Sequence, residues 1–304
     1  MDKEQIIREI KEHMESGKYA VADMSLFEGA SDIVVDSRVV SHIEYTKELL
    51  HEYLDEITTL SQFNPGLNTF LTSLKNGDKI DNQSLERENS FLIGLYMQLK
   101  NETALEKLIK LYKNNRKLTS EQLYKIHETL LFGTSSEGKE TVRKENLKVV
   151  GRMQNGERII DYFPIDAKEV PGATTALVDI YNSRIDTPNF DNEFLQPFLV
   201  HGLTGALQIF NDGNTRMGRV MQHALIWQLI NERTEFNFDL PPIYATRNYF
   251  PYRDKYRRLL KELVTVSGNE SWNNWFDFNL DMIEDAIYTN HENANILKRK
   301  LGIK

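Results

Sequence analysis

The chain contains no cysteine. Disulfide staples, thiolate metal centres and a cysteine nucleophile are therefore excluded. Long apolar runs are missing too: the longest, around "ALIWQLI", falls far short of a bilayer-spanning helix. The opening "MDKEQIIREIKEHMES" is charged throughout and lacks the apolar centre of a secretory leader. Internal repeats, low-complexity tracts and a linker that would mark a domain boundary are likewise absent. Nor is there an excess of basic charge. The formal net charge is −8, which disfavours nucleic acids and anionic membranes as partners, since both attract basic faces. The basic end "LKRKLGIK" is too short to reverse that balance. These absences lead to the expectation of a soluble, cytoplasmic protein of one large domain or two ordinary ones.

What is present is helical periodicity. Hydrophobic residues make up 40% and charged residues 27% of the chain, the balance of a globular core with a solvated surface. "EQIIREIKEHM" sets Ile6, Ile7, Ile10 and Met14 on one helix face. Residues 20–36 break the pattern and read as loop with a short extended piece. "SRVVSHIEYTKELLHEYLDEITTL" is helical again, with Val39, Val40, Ile43, Leu49, Leu50 and Leu54 at apolar positions. "SQFNPGLNTF" and "KNGDKIDNQ" carry turn chemistry. Helical patterns follow over "SLERENSFLIGLYMQLKN", "ETALEKLIKLYKNN" and "TSEQLYKIHETLLFG", the last capped by Thr119 or Ser120 and ending at Gly133. "NLKVVGRMQNGERIIDYFPI" differs, with two β-rich arms, Leu147–Met153 and Arg158–Phe163, joined through Asn155-Gly156, a strong hairpin signal. Helices resume in "EVPGATTALVDIYNSR", "NEFLQPFLVHGLTGALQI", "RMGRVMQHALIWQLINE" and "RNYFPYRDKYRRLLKELV". The final stretch, "SWNNWFDFNLDMIEDAIYTNHENANILKRK", reads as one helix or two. The fold class is mainly α with one β-hairpin.

One loop carries chemistry. "NDGNT", residues 211–215, separates two apolar helices and sits at the N-terminus of the second, where unpaired N–H groups and the positive end of the dipole converge. Gly213 permits a tight turn and close approach of a ligand. Arg216 and Arg219 follow three residues apart on one face, where they oppose the dipole and repel each other unless an anion lies between them. Phosphate fits the guanidinium fork. Asp212 beside such a site suits a Mg²⁺ ion that bridges carboxylate and phosphate oxygens. A plain turn, with Asp212 capping the helix and the arginines paired elsewhere, explains the same residues. From the residues alone both readings stand.

The twelve residues "QIFNDGNTRMGR", Gln208 to Arg219, resemble the signature HPFx(D/E)GNGRxxR of the Fic (fido) domain family. Phe210, Asp212, Gly213, Asn214, Arg216 and Arg219 agree; Gln208, Ile209 and Thr215 depart. "LTSEQLYKIHETLLFG", the hairpin segment, His201, "NYFPYRDKYRRLL" and "WNNWFDF" extend the resemblance over roughly residues 37–285. It implies an N-terminal helical region over 1–115, a Fic helical core over 116–285 with a flap hairpin at 147–163 and the motif loop at 208–219, and a C-terminal helix or tail over 286–304. Family members transfer AMP from ATP to a protein hydroxyl. By position, Asp212 would coordinate Mg²⁺, while Gly213, Asn214, Thr215 and Gly218 would lie along the phosphates with Arg216 and Arg219. Phe210 would anchor the loop, and the flap, Val149 to Ile160, would add a strand of the protein target. "VSHIEY", Val40 to Tyr45, is similar to a worn inhibitory helix, (S/T)xxxE(G/N), with Glu44 placed to pair with Arg219.

The departures bear on activity. Gln208 stands where the family has its general-base histidine and has no titratable group to accept a proton. Thr215 replaces a glycine with a β-branched residue. His201 lies seven residues before Gln208, about 10 Å along a helix, and reads as structural, as does His223. Three functions stay open: an adenylyltransferase with weak or altered activity, a pseudoenzyme that binds a nucleotide and a partner, and transfer of a different phosphate-bearing group. The implied ligands are Mg²⁺ and ATP or another nucleotide. A homo-oligomer is left open.

Overall fold

The computed structural model describes residues 3–63, 104–146, 148–154, 157–183, 190–236, 238, 242–243 and 245–301. The helix expected over 84–101, the turns at Asn-Pro-Gly and Asn-Gly-Asp, and the Asn155-Gly156 tip lie outside these residues.

Ten α-helices and one hairpin occur among the described residues: α1 (Lys3–Glu15), α2 (Ser25–Ser31), α3 (Ser37–Phe63), α4 (Ala104–Lys113), α5 (Ser120–Leu131), β1 (Val150–Gln154), β2 (Glu157–Tyr162), α6 (Val170–Asn182), α7 (Phe190–Leu207), α8 (Asn214–Arg233), α9 (Arg253–Thr265) and α10 (Asn269–Leu301). The centre is the α7–α8 pair, packed along most of its length. Residues 194–207 of α7 and 220–227 of α8 are buried on every face but carry Gln196, His201, Gln222 and His223 among their apolar residues, whereas both ends of α8 are partly exposed. Leu203, Ala206 and Leu207 on α7 and Met217, Val220, Met221 and Ala224 on α8 are all buried.

The outer helices follow from local rules. Thr119 caps α5 through a capping box: its Oγ1 accepts from the Gln122 N–H at 3.2 Å, and the Gln122 side chain accepts from the Thr119 N–H at 2.9 Å. In α3, Val39, Ile43, Leu50, Leu54 and Ile57 form a buried stripe packed against α10. That stripe joins the same hydrophobic cluster as α7 and α8, so residues before 116 share the core of those after it.

Two local expectations are corrected and one left open is settled. Residues 25–31, read as loop, form α2, which is too short to show a helical period. Its entry is fixed by Asp23, whose Oδ1 accepts from the Ser25 N–H at 2.8 Å. "RNYFPYRDKYRRLLKELV" is a 3-10 turn at Thr246–Tyr249 followed by α9, because Pro251 cannot continue the first helix. The last stretch is one helix, α10, with no glycine or proline between Asn269 and Leu301 to break it.

The hairpin is antiparallel, pairing Gly151 with Ile160 and Met153 with Arg158, with a register shift where Val150 pairs with Tyr162. Asp161 is the extra residue of that bulge, a device that re-aims a side chain. Val21 bridges to Phe163 in parallel, which ties the N-terminal segment to the hairpin base. No helix among the described residues is long and apolar enough to cross a membrane.

Candidate functional site

Gln208 follows the last residue of α7 with φ +56°, the left-handed position at which many helices stop. Its side chain is turned back onto that helix end: Nε2 donates to the Gly205 carbonyl at 2.5 Å, and Oε1 accepts from Asn214 Nδ2 at 3.1 Å. Asn214 is the inner brace of the loop. Its Oδ1 accepts from the Phe210 N–H at 2.8 Å while its Nδ2 also reaches the Phe210 carbonyl at 2.9 Å. Gly213, at φ +74°, is the N-cap of α8 and offers no side-chain cap, which leaves the first-turn N–H groups without a side-chain acceptor. A Cβ there would meet His127 Nε2 at 3.1 Å and Arg216 Nη2 at 3.3 Å, so both backbone angle and space demand glycine.

Side chains from other segments clamp the loop. The stretch 141–143 runs antiparallel to 209–211, with Val142 bridged to Phe210. His127 stacks on Phe210, ring centroids 3.8 Å apart, and its Nε2–H donates to the Asp212 carbonyl at 2.8 Å. Burial pushes the His127 pKa down to about 4, which keeps the ring neutral. The buried Arg143 donates to the Gln208 carbonyl at 3.1 Å and to the Ile165 carbonyl; burial lowers its pKa to about 10. Lys148 Nζ donates to the Asn211 carbonyl at 3.3 Å, and burial brings its pKa down to about 8. His127 and Lys148 lie in segments with a helical and a hairpin pattern, but neither pattern points their side chains to the loop. The polar run "SSEGKETVRKEN" gives no hint that an arginine within it is buried.

The Asp212 carboxylate is half-exposed. Burial alone raises its pKa, but the Ser136 hydroxyl at 2.9 Å, Arg216 at 3.4 Å and the Gly213 N–H outweigh that and hold it below the usual carboxylate range. Among the described residues no three His, Cys, Asp or Glu converge as a metal cage. A Mg²⁺ ion here would take Asp212 and complete its shell with phosphate oxygens and water. That donor set suits Mg²⁺, which commonly uses one carboxylate beside substrate phosphates.

A cavity of about 390 Å³ opens beside the loop, between the hairpin, the start of α8, the 3-10 turn and α9. Gln208, Thr215, Arg216 and Arg219 line it, with Asp161 from the hairpin and Arg253 and Arg257 from α9. Thr215 lies within the first turn of α8 and does not share the positive φ of Gly213. Its backbone therefore does not require glycine. Arg219 lies over the Tyr249 ring, 5.9 Å from the centroid.

Four further residues sit away from the cleft wall. Gly218 faces α7, where a Cβ would meet His201 Cδ2 at 2.7 Å; its small size serves helix packing. Glu44 is exposed and pairs with Lys47 at 3.0 Å, not with Arg219. His201 is enclosed, with Nε2 2.9 Å from the Tyr256 hydroxyl, and burial drives its pKa far down. His223 accepts from the Ala245 N–H at 3.0 Å.

The family model for the Fic/DOC family matches residues 117–226. No curated protein matches the chain. A Fic family protein from Desulfovibrio desulfuricans G20 has a similar structure, with TM-score 0.53 and 15% identity over 85% of this chain and 75% of that one. A Fic domain containing signaling protein from Bacteroides thetaiotaomicron VPI-5482 is similar at TM-score 0.49 and 16% identity, over 85% of this chain and 96% of the other. Fic-1 from C. elegans gives TM-score 0.41 and 14% identity, over 95% and 71%. The matched span takes in α5, the hairpin, α6, α7, the glycine-turned loop and most of α8, so the similarity to the Fic/DOC family lies on the part of the chain that builds this site.

Proposed function

We propose that this cleft binds the phosphates of a nucleotide with Mg²⁺ on Asp212, that its AMP transfer is attenuated or lost, and that the hairpin edge holds a segment of a protein partner. The observation that carries this reading is the state of Gln208. Both ends of its amide are engaged, by Gly205 and Asn214, and an amide accepts no proton at any working pH. An attacking hydroxyl needs a base within about 3 Å of its proton. No histidine lines the cavity, and its one carboxylate, Asp161, already lies between Arg152 at 3.8 Å and Lys261 at 3.7 Å. Phosphate binding depends on other groups. Arg216 and Arg219 present guanidinium donors, and the uncapped first turn of α8 adds N–H groups. Mg²⁺, when bound, neutralises phosphate charge; Asp212 would position it.

The test is a binding titration of Mg-ATP, together with transfer of label from ATP marked on the α-phosphate, for the unaltered protein and Asp212→Ala. Binding that weakens in Asp212→Ala, with little or no label on either protein, supports the reading. Rapid labelling by the unaltered protein that disappears in Asp212→Ala would identify a working transferase and overturn it.

A further inference from the structure

Arginine crowds the cleft beyond what one phosphate chain requires. Besides Arg216 and Arg219, the same cavity is lined by Arg253 and Arg257 of α9. These two are four residues apart on one helix face, where like charges repel. Arg253 is also the first residue of α9 and so meets the positive end of its dipole. Neither makes an ion pair with a described carboxylate. Burial depresses the Arg257 pKa, and repulsion by Arg253 and Arg152 adds to it, while Asp254 and Asp161 act on Arg257 only from a distance. Asp161, the one acid on the cavity wall, is held by Arg152 and Lys261. In a chain of net charge −8, two cations on one helix face of the cleft, neither ion-paired to a described carboxylate, suit an anion.

Phe250, 45% exposed, lines the cavity between the 3-10 turn and α9. Its face offers a planar ring a place to stack beside the arginines. The volume of about 390 Å³ lies within the roughly 300–1,000 Å³ typical of small-ligand pockets.

We propose that Arg253 and Arg257 form a second anion subsite, and that the ligand of this cleft is a nucleotide bearing a phosphate in addition to its 5′ chain. The 5′ chain lies on Arg216 and Arg219, the base against Phe250, and the additional phosphate on the α9 pair. This inference rests on the reading that the motif arginines hold phosphate. Two guanidinium groups on one helix face match a phosphate through several charge-assisted bonds, so the added group should contribute roughly ten- to a hundredfold in affinity.

The experiment compares ADP with its 3′-phosphorylated form, and GDP with its 3′-diphosphate form, by calorimetry. The proteins are the unaltered chain, Arg253→Gln and Arg253→Gln/Arg257→Gln, each checked by thermal melting. The extra phosphate should tighten binding at least about tenfold in the unaltered protein. That gain should shrink in Arg253→Gln, whose side chain is exposed and so spares the fold, and vanish in the double variant while ADP affinity holds. ADP binding without any gain, or a gain that survives both substitutions, overturns this inference and leaves the function proposed above intact. Binding of the 3′-phosphorylated forms through Arg253 and Arg257, without binding of ADP, upholds the subsite and overturns that function instead. If none of the four binds, both fall.

Discussion

Replacing Gln208 by histidine tests whether the missing base is what limits chemistry in this cleft. The position tolerates the change better than most. Its φ of +56° lies in the left-handed region, where histidine is several-fold enriched over other non-glycine residues. The cost comes from the amide. Gln208→His removes the bond to the Gly205 carbonyl and the acceptor for Asn214 Nδ2, each worth about 0.5–1.5 kcal/mol net. Asn214 keeps the Phe210 carbonyl as a partner for that group, so the total should be roughly 1–2 kcal/mol, a loss of a few degrees in melting temperature. Against that loss, a correctly placed general base contributes about a hundred- to ten-thousandfold in rate. The assay is transfer of α-phosphate label from Mg-ATP under single-turnover conditions, on the variant and the unaltered protein, with nucleotide affinity measured on both. A rise of two orders of magnitude or more at unchanged affinity is expected. If Gln208→His folds, binds the nucleotide and transfers no faster, the absent base is not the limiting defect. The reasoning from the engaged amide would then be wrong.

Gly218→Ala should destabilise the protein, because the added Cβ meets His201 Cδ2 at 2.7 Å and the His201 backbone carbonyl at 3.0 Å. Overpacking of about 1–3 kcal/mol exceeds the helix-propensity gain of at most ~1, so an unchanged urea midpoint would contradict close α7–α8 packing. Thr119→Ala removes the capping box of α5 and should cost about 1 kcal/mol, read in the same denaturation experiment. His42 joins α3 to α10 through Glu284 at 2.9 Å and Asp277 at 2.7 Å. The Glu284 bond, opposed by burial and aided by Asp277, raises its pKa from 6.5 to about 9. A raised folded pKa stabilises fully below about pH 6.5 and loses that contribution as pH climbs to 9. The unscreened maximum is about 3.4 kcal/mol; solvent reaches this half-buried pair and cuts it to roughly 1–2. Urea unfolding at pH 6, 7.5 and 9 should show this decline, and His42→Gln should flatten it.

Much of the helical frame was legible because its cause is local. The buried stripe of α3, the Thr119 cap and the two β-rich arms of the hairpin each follow from residues within a few positions of one another. The errors have local causes too: α2 spans seven residues, too few for a period, and Pro251 was passed over inside an otherwise helical pattern. The loop at 211–215 was legible as a special turn, since Gly213 does adopt the positive φ such a turn needs. What clamps that loop was not legible. His127, Ser136, Arg143 and Lys148 arrive from 63 to 85 residues away, and only tertiary packing brings them to the 208–212 backbone and the Asp212 carboxylate. Gly218 shows the limit of reading by position: it occupies a motif slot, yet its neighbour is the backbone of α7.

The motif residues thus divide by what holds them in place. Phe210 is a buried ring under His127, and Asn214 closes the loop by bonding the Phe210 backbone in both directions. Either would be retained to keep α8 correctly started, whether or not any chemistry survived. Arg216 and Arg219 differ in that both line the cavity. Arg216 reaches Asp212 only at 3.4 Å, and Arg219 lies over Tyr249 at the cavity wall. Two cations in the first turns of a helix oppose its dipole at about 0.3–1 kcal/mol each, and with Arg253 and Arg257 the wall carries four. Gln208 puts no base in the cleft, and it does nothing to relieve this repulsion. Four arginines on one cavity wall therefore argue for an anionic ligand more strongly than Phe210 and Asn214 do.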